Sequence, residues 1–286
     1  MSKGKQRGSG WSIGLALFLY NLFGYRFLYY LLYPITFFYF LVAKNVRTSL
    51  DLYYKHLNRP LTTWGYFTHL RIFAVCLVDR FVSKISPESY TFEYGNKEIP
   101  IDILERGALL LYSHIGGWAA SQNGAHVNNK INIVMQESML NGIREIERKF
   151  EIKSQLNIID LNQGNISVSI QVANALINNE IVAIMGDRAA NEKSELEVSF
   201  LGEFARFNKN PFQIAYKVKK PIVVYFIVFT AMQTYKVEYL VIELDQTLQA
   251  DDAVEKAMIQ YVEKYETIVK KYPQQWFNFY DFWEKK

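Results

Sequence analysis

The stretch from Leu109 to Ser121, LLLYSHIGGWAAS, decides the fold. Its apolar start reads as a buried strand, Ala108–Ser113, running into a glycine turn and then a helix from Trp118. In α/β proteins the carboxyl ends of strands point into the crevice where ligands bind. His114 occupies such an end, where a general base meets substrate. Gly116 and Gly117 would let backbone N–H groups come close to a ligand, including a developing oxyanion. A histidine there can equally cap the helix or satisfy a buried carbonyl.

The same texture extends outward. Strands are expected at Ile131–Gln136, Asn157–Leu161, Ile181–Met185, Ile222–Phe229 and Lys236–Leu244. Helices are expected at Trp118–His126, Leu140–Phe150, Ile166–Asn178, Pro211–Lys219 and Ala253–Lys271. This alternation predicts an α/β fold, a layered central mixed sheet flanked by helices, over residues 89–286. Residues 46–88 form a helical layer packed on that body, with apolar positions at three- and four-residue spacing and Pro60 dividing two helices. Cys76 lies in the second and reads as a core residue.

A second strand runs into a charged turn in IMGDRAANEKSELEVSFLG, Ile184–Gly202. Arg188 can grip a phosphate or carboxylate through two parallel N–H groups, and Asp187 can orient a base or brace Arg188. A structural Asp–Arg pair in a turn is the plain alternative. The closing block QQWFNFYDFW, Gln274–Trp283, has six aromatic residues in ten, and core packing is its simplest use.

The amino end differs in kind. Lys3, Lys5, Arg7, Arg26, Lys44 and Arg47 precede the first acidic residue, Asp51. With a net charge of +4 overall, the rest of the chain carries 4 − 6 = −2. Two apolar runs, Trp11–Phe23 and Phe27–Ala43, lie within this segment, divided by Arg26, with Pro34 placed to kink the second. Residues 1–45 thus read as N-terminal membrane-associated helices, inserted shallowly or as a hairpin. A single upright span, a signal peptide and a buried core pair are the rivals. Lys44 and Arg47 favour a cytoplasmic body if the segment inserts.

Composition closes off other classes. Hydrophobic residues make up 50% of the 286, which excludes a disordered chain. One cysteine permits neither a disulfide framework nor a Cys-rich zinc site. The other histidines, His56, His69 and His126, show no metal-ligand spacing, and the charge is too small to argue for nucleic acid.

The motifs SHIGGW (Ser113–Trp118), GDR (Gly186–Arg188), FLGEFARFNKNPFQIA (Phe200–Ala215) and QWFNFYDFW (Gln275–Trp283), in this order behind a basic apolar amino end, resemble the bacterial lysophospholipid acyltransferase superfamily. Within it, the likeness is to the lipid A late acyltransferases and a related branch of predicted acyltransferases. It covers about Gly10 to Trp283. It implies an enzyme of the inner (cytoplasmic) membrane, its catalytic domain on the cytoplasmic face, moving an acyl chain from acyl carrier protein or coenzyme A to a lipid hydroxyl. The thioester is a co-substrate, and no metal or other cofactor is implied. The family motif is a His, four residues, then Asp or Glu. His114 matches and would take the hydroxyl proton. Gly116, Gly117, Trp118, Arg188 and Lys209 would contact substrate.

The acidic position of that motif is Ala119, and a position commonly Asn in related sequences is Gly117. Alanine cannot orient an imidazole. Asp187 and Glu137, each just after an expected strand, are the candidates to replace the missing acid. A water or backbone carbonyl could serve instead, or the protein could be an inactive lipid-binding or membrane scaffold of the same fold. A thioester or lipid hydrolase is a further reading, without a G-x-S-x-G elbow to support it.

Overall fold

The computed structural model describes residues 10–95, 101–117, 129–135, 157–188 and 192–284. The expected helices Trp118–His126 and Leu140–Phe150 lie outside them.

The fold is mixed α/β. Its centre is a seven-stranded sheet of β1 (Thr91–Tyr94), β2 (Leu109–Tyr112), β3 (Ile131–Met135), β4 (Asn157–Asp160), β5 (Ile181–Met185), β8 (Ile222–Ala231) and β9 (Thr234–Ile242). Their order is β1-β9-β8-β2-β5-β3-β4. All neighbours are parallel except the β8–β9 hairpin. A separate antiparallel hairpin, β6 (Glu195–Phe200) with β7 (Glu203–Asn208), stands beside it.

The parallel strands bury both faces, which explains their near-continuous apolar runs. Leu109 and Leu111 of β2 point into the main core with Val182, Ile184, Val224 and Phe226. Tyr112 points the other way, against Ile133 and Ala183. Helices α5 (Asn165–Ile177), α6 (Asn210–Val218) and α7 (Ala250–Lys271) contribute Val172, Phe212, Tyr261 and Tyr265 to the main core. The short α4 (Ile101–Glu105) precedes β2.

At the amino end, α1 (Gly10–Val42), α2 (Lys44–His56) and α3 (Thr63–Ile85) form a helical layer. Thr62 caps α3 by accepting from the Gly65 N–H. Helix α1 breaks at Gly24, where φ is 76° and ψ 175°, two residues before Arg26, and it continues as helix through Pro34. It runs antiparallel along α3: Tyr20 bonds Ser86, Tyr25 bonds Asp79, Tyr33 stacks on Phe67 and Phe40 packs on Tyr66. Its other side leaves Phe18, Leu22, Phe23, Tyr30, Phe37 and Phe38 exposed. From Gly14 to Val42 it is long and apolar enough to cross a membrane.

Candidate active site

Strands β2 and β5 are adjacent, with Tyr112 in register with Met185. Two residues beyond each, His114 and Asp187 leave the sheet side by side. The His114 imidazole meets the Asp187 carboxylate through Nδ1, 2.9 Å from Oδ2 and 3.1 Å from Oδ1. The His114 backbone N–H donates to the same Oδ2 at 3.0 Å. Met135 ends β3, which β5 separates from β2. Glu137, the other candidate acid, lies outside the described residues, as do Trp118 and Ala119.

Asp187 is fully buried. Burial alone would push its pKa up. The His114 imidazole, the two His114 hydrogen bonds and the Arg188 charge outweigh that and hold it below the usual carboxylate range. The carboxylate is therefore ionised at neutral pH. A third donor, the Tyr265 hydroxyl from α7, reaches Oδ2 at 3.3 Å and itself accepts from Trp276 Nε1 at 2.6 Å. Burial, with Asp187 beside it, drives the Tyr265 phenol far above its ordinary pKa, so it stays a proton donor. A chain of side chains, Trp276 to Tyr265 to Asp187 to His114, thus fixes the imidazole. With Nδ1 committed to the carboxylate, Nε2 is the nitrogen left to accept a proton. The His114 side chain is 23% exposed, so solvent or substrate can approach it.

The loop that carries His114 is clamped on both sides. Phe277 N–H donates to the His114 carbonyl at 2.7 Å, and Gly116 N–H donates to the Gln275 carbonyl at 2.9 Å. Gly117 N–H donates to Ile227 of β8 at 2.8 Å. This corrects one expectation. The N–H groups of Gly116 and Gly117 are spent inside the fold and are not free to steady an oxyanion. The glycines are needed for room instead. A Cβ on Gly116, where φ is +56°, would stand 2.1 Å from the Ile227 oxygen, and one on Gly117 would stand 2.3 Å from Tyr235 Cε1.

Arg188 is exposed; its Nη2 donates to buried Asn278 Oδ1 at 2.8 Å, and its guanidinium lies 4.9 Å from the Tyr280 ring centroid. Lys209 follows Asn208, whose N–H donates to the Gly186 carbonyl, so the start of α6 adjoins the Gly186–Arg188 turn. Lys209 is half-buried at that junction. Among the described residues no group of three or more His, Cys, Asp or Glu could hold a metal ion.

Four contributors carry no individual signal in the sequence: Tyr265, Gln275, Trp276 and Asn278. Three lie in the aromatic closing block. Its repeated Trp–Phe–Tyr texture signals packing, and its backbone pairing with the His114 loop has no sequence signature. Gln275 also bonds both the N–H and the carbonyl of Phe229.

Residues 102–285 match the model of the family described as bacterial lipid A biosynthesis acyltransferase. The chain belongs to that family. The matched region is more than half of the chain and contains His114, Asp187, Arg188 and the whole closing block. Membership implies acyl transfer in general, with a lipid acceptor and an acyl donor. No curated protein matches the chain significantly.

Proposed function

We propose that this acyltransferase moves a fatty acyl chain from a thioester of acyl carrier protein or coenzyme A to a hydroxyl of a lipid or glycolipid, with His114 as general base and Asp187 as its orienting carboxylate. The observation that carries the reading is the 2.9 Å contact between His114 Nδ1 and buried Asp187. It supplies, from the end of β5, the acid that Ala119 cannot supply, and so favours a working enzyme over an inert scaffold.

The chemistry is one displacement. The acceptor hydroxyl gives its proton to His114 Nε2 as its oxygen attacks the thioester carbonyl. The tetrahedral adduct collapses, the C–S bond breaks, and the leaving thiolate takes the proton from the imidazolium. Asp187 holds the neutral imidazole with its proton on Nδ1 and stabilises the imidazolium that follows. Arg188, exposed beside Asp187, is the cation placed to bind an acceptor phosphate or the polarised thioester oxygen. Lys209 adds positive charge for an acidic headgroup or carrier.

The apolar exposed side of α1 and the acid-free basic amino end support work at the inner-membrane surface, with the α/β body on the cytoplasmic face. The test is mass spectrometry of total lipids from the host lacking the gene, complemented with wild type or His114→Ala. A lipid that loses one acyl chain in the deletion and regains it only with wild type names the acceptor. Identical profiles, with the protein expressed, would reject the enzyme reading.

A further inference from the structure

Helix α3 carries an anomaly that the His114–Asp187 pair does not use. Arg71 is only 7% exposed, on the side of α3 that faces α1. Its guanidinium lies 4.3 Å from the ring centroid of Tyr29 and 3.8 Å from that of Tyr33. A guanidinium set over aromatic rings still needs hydrogen-bond acceptors for the N–H groups that lie in its own plane. Two donors of Arg71, Nε and Nη2, are buried with no hydrogen-bond partner among the described residues. Arg71 takes part in none of the ion pairs among the described residues. A buried cation without a counter-charge is costly.

The two unpaired donors share one edge of the guanidinium. That edge is a fork matched to two oxygens of one phosphate or carboxylate. Thr36 lies on the face of α1 that holds Tyr29 and Tyr33, and its Oγ1 is also buried without a partner among the described residues. The surroundings indicate the source of the anion. The outer side of α1 exposes Phe23, Tyr30, Phe37 and Phe38, and no acidic residue precedes Asp51.

We infer that the Nε–Nη2 edge of Arg71, covered in this structure, takes the phosphate of a membrane phospholipid that parts the α1–α3 seam beside exposed Tyr33, its acyl chains against the exposed aromatic side of α1. The site is separate from His114. Two helical residues turn about 200°, so His69 faces Trp276 while Arg71 faces α1.

The full chain, purified in non-ionic detergent, is titrated in native mass spectrometry with phosphatidylglycerol, with diacylglycerol of the same chain length, and with inorganic phosphate. One phosphatidylglycerol is expected to be retained, with diacylglycerol at least tenfold weaker and inorganic phosphate unable to displace the lipid. Arg71→Gln should weaken phosphatidylglycerol at least tenfold, Arg71→Lys less, and glutamine at Lys3, Lys5 and Arg7 should leave the single lipid in place. Equal retention of phosphatidylglycerol and diacylglycerol by wild type would overturn the inference whether or not any variant folds. So would full displacement by inorganic phosphate, or an Arg71→Gln protein that binds like wild type.

Discussion

Asp187→Asn is the most informative single change at this site. Asp187 accepts from three donors: His114 Nδ1 at 2.9 Å, the His114 backbone N–H at 3.0 Å and the Tyr265 hydroxyl at 3.3 Å. Asparagine keeps the volume but brings an NH₂ group into a pocket of donors. Its carbonyl oxygen can serve the backbone N–H and Tyr265, and the NH₂ then faces Nδ1. The imidazole must carry its proton on Nε2, where it cannot act as a base. The analogous change in a His–carboxylate pair costs about 10⁴-fold in kcat, or about 5.5 kcal/mol of barrier. Folding should lose only about 1–3 kcal/mol, because two of the hydrogen bonds survive. Thiol release from an acyl thioester in the presence of lipid acceptor gives the rate, thermal unfolding gives the stability, and nitrogen NMR reports the His114 tautomer. A variant that folds, keeps the Nδ1–H tautomer and turns over within tenfold of wild type would refute the reasoning.

Other expectations follow from neighbouring residues. Arg188→Ala, at an exposed position, should raise KM for the acceptor with little change in unfolding temperature, as steady-state kinetics would show; an unchanged KM would remove Arg188 from the site. Gly117→Ala forces a Cβ to within 2.3 Å of the Tyr235 ring and should cost about 1–3 kcal/mol in denaturant unfolding. Buried Asp79 and His69 make opposite pH contributions to stability. Burial pushes Asp79 up to about 6, even though the hydroxyls of Tyr235, Tyr25 and Tyr90 favour its charge, so its folded form holds a proton that the unfolded form releases, and its contribution improves as pH falls from about 7 to 4. Burial pushes His69 down to about 4, so its contribution worsens over the same window. At about 1.4 kcal/mol per pKa unit, each is worth roughly 3 kcal/mol and they largely cancel. Relative to wild type, Asp79→Asn should therefore lose stability on acidification and His69→Gln should gain it, by denaturant unfolding at pH 7 and pH 4.5. Parallel curves for all three proteins would contradict the assignment.

The parallel strands were legible because burial on both faces writes continuous apolar runs: Ile181–Met185 is met residue for residue, and β2, β3 and β4 within one residue at each end. The β6–β7 hairpin was not. Its turn needs positive φ at Leu201 (53°) and Gly202 (88°), and a leucine there hides the usual turn signal. Tertiary contacts impose it: Leu201 is buried and its N–H donates to Glu266. Strand β1 is a four-residue edge strand, mostly exposed, and carries little apolar pattern. His114 could be picked out because it ends a strand beside glycines. Asp187 could be preferred to Glu137 as the partner of His114, but its contact with the imidazole could not be read, since the adjacency of β2 and β5 is a property of sheet order. Tyr265 was invisible as a site residue: within an amphipathic helix it looks like any other core aromatic.

The central claim is acyl transfer by an imidazole that Asp187 orients. The most direct measurement is the reaction of purified full chain with an acyl thioester and host membrane lipids, following free thiol and acylated lipid together. The account predicts equal amounts of both with wild type, and loss of both in His114→Gln that still folds. Thiol release with free fatty acid and no acylated lipid, or turnover that survives His114→Gln unchanged, would contradict it.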